Sequence, residues 1–317
     1  MDLSVVVPTL NGRDRLGACL DALATHAPDA EVVVANGPSA DGTTGMVRDR
    51  DDVDVLVEIS DRTVNVARNA GIEVATGDAI ALVDYDNRID ESWRDAVVDG
   101  LDAADVVTGP VTPIEPSSDD ETGADDETDG DDRSALERRT IAGRDVTYFQ
   151  GDNVVFRRET LRDLDGFDEY LHTGGSRDTA HRLARMDHDV EWRAGLSVSK
   201  ALPVSTAADG GRTAREWGWK YRALAYRLLK NYGIRPTVVA RTGSHAVKDA
   251  VGAAKDVVRG ESTPSRWFAT GRDVTVGLVG GSSDGLVARS RDRSPARNPN
   301  GISKRADRAV AKYDNRE

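Results

Sequence analysis

The stretch Ala79-Ile80-Ala81-Leu82-Val83-Asp84-Tyr85-Asp86 decides the fold. Five uninterrupted apolar residues read as a strand buried on both faces, and they run straight into two carboxylates. The same pattern recurs upstream. Leu3 to Val7 is an apolar run closed by Pro8, Glu31 to Ala35 is a second short run, and Val53 to Ile59 is a third. Helical spacing fills the gaps. Leu16, Cys19, Leu20 and Leu23 follow the Asn11-Gly12 turn, a short segment spans Thr43 to Arg50, and Val64, Ala67, Gly71 and Val74 precede Gly77. Strands alternating with helices at this spacing predict an α/β architecture, a mostly parallel sheet with helices on both faces. Ligands in such sheets sit at the carboxyl ends of strands, where the Asn36-Gly37-Pro38-Ser39 loop and Asp84 both fall.

Downstream, Trp93 to Leu101 reads as a helix and Asp105 to Gly109 as a strand. In residues 117–132, nine of sixteen are Asp or Glu and none is basic. Such a segment buries too little apolar area to offset its ordering entropy, so a disordered surface insertion is expected. Val146 to Arg157 is strand-like, interrupted by Gly151-Asp152-Asn153; Arg177 to Met186 reads as helix and Val190 to Val198 as strand.

The 317 residues carry 42 Lys+Arg and 55 Asp+Glu, a net charge of −13. The single cysteine, Cys19, excludes an intrachain disulfide and a cysteine-based zinc site. No run approaches the roughly 20 apolar residues of a membrane span, and the N-terminal strand pattern has no basic region of the signal-peptide kind. The charge is divided unevenly. Residues 1–210 hold 20 basic and 45 acidic residues, a net of −25, and residues 211–317 hold 22 and 10, a net of +12. An acidic body of this kind is not drawn to nucleic acid, so no nucleic-acid partner is expected. Only seven of the cations are lysine; acid-rich, lysine-poor composition points to a protein kept hydrated in concentrated salt.

Asp84 and Asp86 point to the same side of an extended chain and can share a hard divalent cation, which would then clamp a diphosphate. In this setting the chain resembles the family 2 glycosyltransferases of the GT-A fold. Val5-Val6-Val7-Pro8-Thr9-Leu10-Asn11 is similar to the family's opening strand. Ala67-Arg68-Asn69-Ala70-Gly71, Gly77-Asp78 and Leu82-Val83-Asp84-Tyr85-Asp86 are similar to its most recognisable block. Gly151-Asp152-Asn153, Gly166-Phe167-Asp168 and Arg177-Asp178 follow in the family's order. The resemblance covers roughly residues 3–200.

The resemblance implies transfer of a sugar from a nucleotide-diphosphate donor, UDP favoured, with Asp84 and Asp86 on a divalent cation (Mg²⁺ or Mn²⁺). Pro8, Asn11, Asn36, Asp41, Arg68, Asp84 and Lys200 are the implied donor-binding residues, and Asp152, Asn153 and Arg177 the substrate residues. Asp178 is the implied catalytic base of an inverting displacement, because an acceptor hydroxyl must lose its proton as it attacks. Departures from the pattern are informative. The family's Glu-Asp pair is Arg177-Asp178 here, and Lys200 stands where many relatives have a histidine. Both cations would suit an acidic sugar or a phosphate. Asn36 and Asp41 are what remain of an Asp-rich donor loop. Asn69 and Gly71 are expected to set packing beside the donor, and Tyr148 and Trp192 are read first as packing aromatics.

From Arg212 onward Trp217, Tyr221, Leu224, Leu228, Leu229 and Tyr232 recur at helical spacing, with Arg222, Arg227 and Lys230 on other faces. This C-terminal helical extension, residues 211–317, is expected to be a basic, partly disordered tail holding a GT-A domain (residues 1–210) to an anionic membrane surface. The alternative is that its helices pack on the catalytic domain. A second helix is expected over Ser244 to Arg259 and a last one after Ser303. With the tail and the composition, the chain resembles haloarchaeal enzymes that build dolichol-phosphate-linked glycans for protein N-glycosylation, of the hexuronic-acid-transferring type. The implied acceptor is a lipid-linked glycan and the implied location the cytoplasmic face of the cell membrane, peripherally. Polysaccharide or glycolipid synthesis, and a catalytically silent nucleotide-sugar-binding scaffold, are the other readings.

Overall fold

The computed structural model describes residues 1–114, 136–201, 214–238, 240 and 264–316, with backbone alone for 214–217 and 264–270. The acidic insertion at 117–132 and the helix expected over 244–259 lie outside the described residues.

β1 (Leu3–Thr9) is buried along its whole length. It pairs in parallel with β2 (Glu31–Asn36) on one side and β4 (Ala79–Val83) on the other, and β3 (Val55–Ile59) continues in parallel beyond β2. β10 (Asn153–Arg157) inserts antiparallel between β4 and β6 (Val106–Thr108), and β11 (Val190–Trp192) pairs in parallel with β6. The strand periodicity of two divides the core between two faces. Val5, Val7, Ala81 and Val83 pack with Leu16, Leu20 and Leu23 of α1 (Arg13–His26), while Val6, Ile80 and Leu82 pack with Val66, Ala67 and Ala70 of α3 (Val64–Val74). Gly71 lets α3 lie directly on β1, since a Cβ there would come within 2.3 Å of Val6 Cγ1.

Two small sheets complete the body. β8 (Arg138–Ile141) and β9 (Arg144–Thr147) form a hairpin whose turn residues, Ala142 and Gly143, both have positive φ, 52° and 82°, as a tight type I′ connection requires. β12 (Val198–Ala201) runs between β5 (Asn87–Ile89) and β7 (Val111–Ile114), setting Lys200 opposite Asn87 and so beside Asp86. The single strand expected over Val190 to Val198 is therefore two. β11 extends the large sheet, the chain turns through Gly195, and β12 joins a different sheet.

The C-terminal third departs most from expectation. The side chains of Tyr221, Leu224, Leu228, Leu229 and Tyr232 on α7 (Ala214–Tyr232) are buried in the same apolar cluster as Val6, Ile80 and Leu82. The expected placement of this apolar face on a bilayer is thus corrected: it is buried within the protein's own core. α8 (Pro264–Arg291) lies along α7 in parallel register. Gly277, Gly281 and Gly285 abut the backbone of Gly218, Arg222 and Tyr226, where any Cβ would come within 2.5 Å of a carbonyl oxygen. Beyond α8 the polar, Pro- and Gly-punctuated end is tied down. Asn298 Nδ2 donates to the carbonyls of Asp165 and Gly166 at 2.8 and 3.1 Å, and Arg308 pairs with Glu73 at 3.0 Å and with Glu169. The helix expected after Ser303 is a single 3₁₀ turn, Ile302–Lys304, followed by β13 (Ala309–Asp314), which pairs antiparallel with β3. The reason is non-local: β3 would otherwise present an unpaired edge. The large sheet thus has the order β11-β6-β10-β4-β1-β2-β3-β13.

Candidate active site

The carboxylates lie at the carboxyl end of β4. The Asp84 N–H donates to the Asp152 carbonyl at 3.1 Å, fixing the chain where the strand stops. From α3, Arg68 reaches Asp84 Oδ1 at 3.3 Å and donates to the Gly151 carbonyl at 2.6 Å. Burial raises the Asp84 pKa, and the Arg68 guanidinium opposes that shift without cancelling it. Lys200 Nζ stands 3.4 Å from Asp86 Oδ1 and 2.8 Å from Asp152 Oδ2. Burial disfavours its ammonium, but the hydrogen bond and charge of Asp152 outweigh that, so its pKa is raised and it stays charged. Asp152 Oδ1 is buried without a hydrogen-bond partner in the described structure.

These oxygens fit a hard divalent cation on one condition. Among the described residues no group of three His, Cys, Asp or Glu side chains is arranged to hold a metal. Asp84 and Asp86 supply carboxylate oxygens, and magnesium-type ions are commonly held by one or two carboxylates plus substrate phosphates and water. The chain fits an ion that arrives with a diphosphate, not an all-protein cage.

Two cavities flank this point. One, about 290 Å³, is lined by Pro8, Gly37, Asp61, Thr63, Asp84 and Tyr85. The other, about 690 Å³, is lined by Arg68, Glu137, Tyr148, His172, Arg177 and Trp192 among others. Arg68 therefore touches the larger cavity while bonded to Asp84, which lines the smaller. In the larger cavity the Arg177 guanidinium lies over the Tyr148 ring at 4.6 Å and donates to Glu137 Oε2 at 2.9 Å. Arg139 takes the other Glu137 oxygen at 2.5 Å. Burial would raise the Glu137 pKa, but Arg177 and then Arg139 bring it below the usual carboxylate value.

Asp178 is placed differently from its neighbour. It lies in α6 (Gly175–Leu183), its side chain is 0% exposed, and it is not among the residues lining the cavity. Oδ2 accepts from Arg182 at 2.9 Å and from Lys230 at 2.7 Å, and Oδ1 accepts from Asn231 at 2.9 Å. Lys230 also pairs with buried Asp168 at 2.7 Å, and Tyr226 donates to the same Asp168 oxygen at 2.8 Å. Burial raises the Asp178 pKa, but Lys230 and Arg182 more than offset it, leaving the carboxylate firmly ionised. Asp178 is expected from the sequence to take the acceptor proton; in this arrangement its two oxygens accept from three side chains. Its oxygens are used by partners from α7, which the local motif does not reveal.

The other expected residues divide in the same way. Pro8, Arg68, Asp84 and Arg177 line cavities, and Asp86, Asp152 and Lys200 form the charged group beside Asp84. Asn11, Asn36 and Asp41 brace the loop that follows β2. Asn11 Oδ1 accepts from the Ala40 N–H, Asn36 bonds Ser39 and Thr44, and Asp41 accepts from the Arg13 and Thr43 N–H groups. Buried Asn153 holds Trp93 and the Leu196 carbonyl. Asn69 exchanges two hydrogen bonds with the Phe167 backbone, so it sets packing as expected. Tyr148 and Trp192, read first as packing residues, line the larger cavity. Sequence reasoning missed Asp61 and Glu137. In a chain with 55 acidic residues neither stands out.

The two cavities meet at the Arg68–Asp84 pair, at the carboxyl end of β4 and beside β10. The chain belongs to glycosyl transferase family 2, whose family model matches residues 4–165, and it has the GT-A fold. Glycosyltransferase AglE of Haloferax volcanii is 26% identical over 183 residues, 55% of this chain and 58% of that protein. An uncharacterized glycosyltransferase of Escherichia coli, YibD, is 32% identical over 111 residues, 32% of each chain. The chain thus spans less than two thirds of these relatives. Among solved structures, a Pyrobaculum calidifontis mannosyltransferase in complex with GDP-Man and Mn²⁺ superposes with a TM-score of 0.53 at 18% identity, covering 90% of this chain and 86% of that one. S. aureus TarS 1-349 in complex with UDP-GlcNAc gives 0.52 at 17%, covering 73% and 68%. No described helix is long and apolar enough to cross a membrane.

Proposed function

We propose that the protein transfers a sugar, a hexuronic acid fitting best, from a UDP-type donor to a dolichol-phosphate-linked glycan in protein N-glycosylation. The nucleoside enters the smaller cavity beside Pro8, Asp61 and Tyr85, the diphosphate lies at Asp84 and Asp86, and sugar and acceptor meet in the larger cavity. One observation carries this reading: Arg68 joins the Asp84 carboxylate to a cavity whose wall holds a second guanidinium, Arg177. A departing diphosphate develops negative charge, and fixed cations aimed at it stabilise the transition state. Arg68 and Lys200 are placed for that task. A divalent ion held by Asp84 and Asp86 would supply further Lewis-acid stabilisation. Arg177 on the aromatic face of Tyr148 suits a sugar carboxylate. The Mn²⁺ and nucleotide sugars of the solved relatives support the donor class, and the acid-rich, lysine-poor composition supports a high-salt setting.

Work at the cytoplasmic face of the membrane is supported by α8 rather than α7. Val276, Val279 and Val287 are 60, 66 and 42% exposed along one side of α8, within a segment of net charge +12. An apolar stripe on a basic segment suits an anionic lipid surface. Mass analysis of lipid-linked glycans from a deletion strain tests the whole reading. A glycan truncated at a hexuronic acid is the expected result; an unaltered lipid-linked glycan pool refutes the pathway.

A further inference from the structure

A third cavity lies outside the site described above. It holds about 750 Å³ and opens between the end of α8, the segment 294–304 and the loop around Tyr170. All of its lining except Asp165 falls beyond the part of the chain that the family model matches, so no family motif assigns it. Its chemistry suits hydroxyl groups. Asp165, Asp284 and Asp292 line it together with Arg291 and Lys304, which leaves no excess of cations to attract a phosphate. Tyr170 and Tyr226, stacked with ring centroids 4.1 Å apart, give it an aromatic wall. Two acceptor oxygens lack donors. Asn298 is 5% exposed, and its Nδ2 donates to the carbonyls of Leu164, Asp165 and Gly166 at 3.3, 2.8 and 3.1 Å, which fixes the orientation of the amide. Its Oδ1 is then a buried acceptor without a partner in the described structure, as is Asp292 Oδ2. Buried acceptors need donors, and a ligand rich in hydroxyls supplies them.

This cavity is joined to the larger one of the candidate active site. Tyr170 lines the third cavity and His172 the larger one, with Leu171 alone between them in the chain. Side chains from α7 bridge the same gap. The Trp219 ring lies 4.4 Å from the His172 ring, and the Arg222 guanidinium sits 5.4 Å from the centre of Trp219 and 5.7 Å from that of Tyr170. Arg222 Nε also donates to Tyr170 Oη at 2.6 Å. His172 is exposed, and Trp219, Arg222 and Tyr170 are half-buried, so each is open to a ligand on the surface. We infer that the third cavity binds neutral sugar residues of the acceptor glycan, distal to the residue that reacts, and that the ladder His172, Trp219, Arg222 and Tyr170 supports the glycan between the two cavities. The inference rests on the transferase reading above and adds to it the recognition of a sugar chain rather than a single sugar. Once one cavity is occupied the second contact is intramolecular, so affinity rises with glycan length.

Calorimetry on the full chain tests the two layers separately. The donor probes are UDP-glucuronic acid, UDP-glucose and GDP-mannose. The glycan probes are the monosaccharide and oligosaccharide fractions released by mild acid from dolichyl-phosphate glycans of haloarchaeal membranes. Donor binding addresses the transferase reading alone: a protein that binds no nucleotide sugar refutes that reading, while oligosaccharide binding that Ser294→Trp blocks still establishes the cavity as a glycan site. The oligosaccharide fraction is expected to bind about tenfold more tightly than the monosaccharide fraction, the worth of one or two hydrogen bonds. Ser294 is exposed and lines the third cavity but neither of the others. Ser294→Trp fills the cavity and should remove that preference, Trp219→Ala should reduce it, and Trp219→Phe should restore part of it. All three variants should keep nucleotide-sugar affinity within about threefold, a change of less than one hydrogen bond. Equal affinity of the wild type for the two glycan fractions overturns the inference. So does an oligosaccharide affinity that Ser294→Trp and Trp219→Ala both leave unaltered.

Discussion

Replacing Lys230 with methionine probes the joint between the C-terminal third and the site. The Lys230 ammonium is fully buried and pairs with Asp168 and Asp178, both 0% exposed, each at 2.7 Å. Methionine keeps the volume of the stem and removes the charge. Removing one partner of a buried ion pair costs about 3–5 kcal/mol, because the remaining charge is left uncompensated. The cost here falls toward the lower end, since Asp178 keeps Arg182 and Asn231, and Asp168 keeps Tyr226 and Asn300. About 3 kcal/mol is a factor of roughly 10² in the folding equilibrium. Urea unfolding followed by tryptophan fluorescence measures it. The pH dependence supplies a sign. In the wild type the Asp178 pKa is lowered by Lys230 and Arg182. A depressed folded pKa gives stability that is present above the unfolded value, about 3.9, and is lost as pH falls through the folded value. In Lys230→Met two facing carboxylates no longer share an ammonium, so one folded pKa rises. The penalty should be full at pH 7 and shrink as pH falls toward 4. A variant as stable as the wild type at pH 7, or a penalty that grows on acidification, refutes the account of this network.

Other consequences are testable. Ending the chain at residue 210 should yield an insoluble or partly unfolded protein, because it uncovers the face that Tyr221, Leu224 and Leu228 bury, at about 1.5–3 kcal/mol per large side chain; a soluble, cooperatively unfolding 1–210 fragment would contradict this. Gly71→Ala places a methyl within 2.3 Å of Val6 and should cost about 1–3 kcal/mol in urea unfolding. Mn²⁺ should bind weakly to the free protein and at least tenfold more tightly with UDP present, as titration by electron paramagnetic resonance would show; equal affinity in both states would point to a resident protein site. Asp84→Asn should weaken that joint binding, whereas Asp41→Asn, a loop brace, should chiefly lower thermal stability.

Much of the fold was legible because its signal is local. The apolar runs of β1, β2, β3 and β4 and the helical spacing of α1 and α3 each occupy a few consecutive residues, and burial on alternate faces follows from backbone geometry. The break after Val83 put Asp84 and Asp86 at a strand end before any tertiary contact was known. The Val190 to Val198 segment was misread because its apolar residues are strand-like throughout, and only the presence of two sheets decides where it turns. The stripe Gly277, Gly281 and Gly285 was visible in the sequence, but glycine three times over reads as a weak helix until another backbone lies against it.

The sequence by itself determined an α/β sheet with paired carboxylates at its ligand-binding end, and with them the family. Tertiary structure decided which carboxylates are buried in ion pairs and which line cavities. A motif specifies that an aspartate stands at position 178, but its partners Lys230 and Asn231 come from 52 and 53 residues further along the chain. Glu137 faces Arg177 across a separation of 40 residues, and β13 seals β3 from the far end of the chain. Hydrophobic periodicity depends on neighbours in sequence; burial and charge pairing depend on neighbours in space, and these settled the surroundings of Asp178 and the burial of the apolar face of α7.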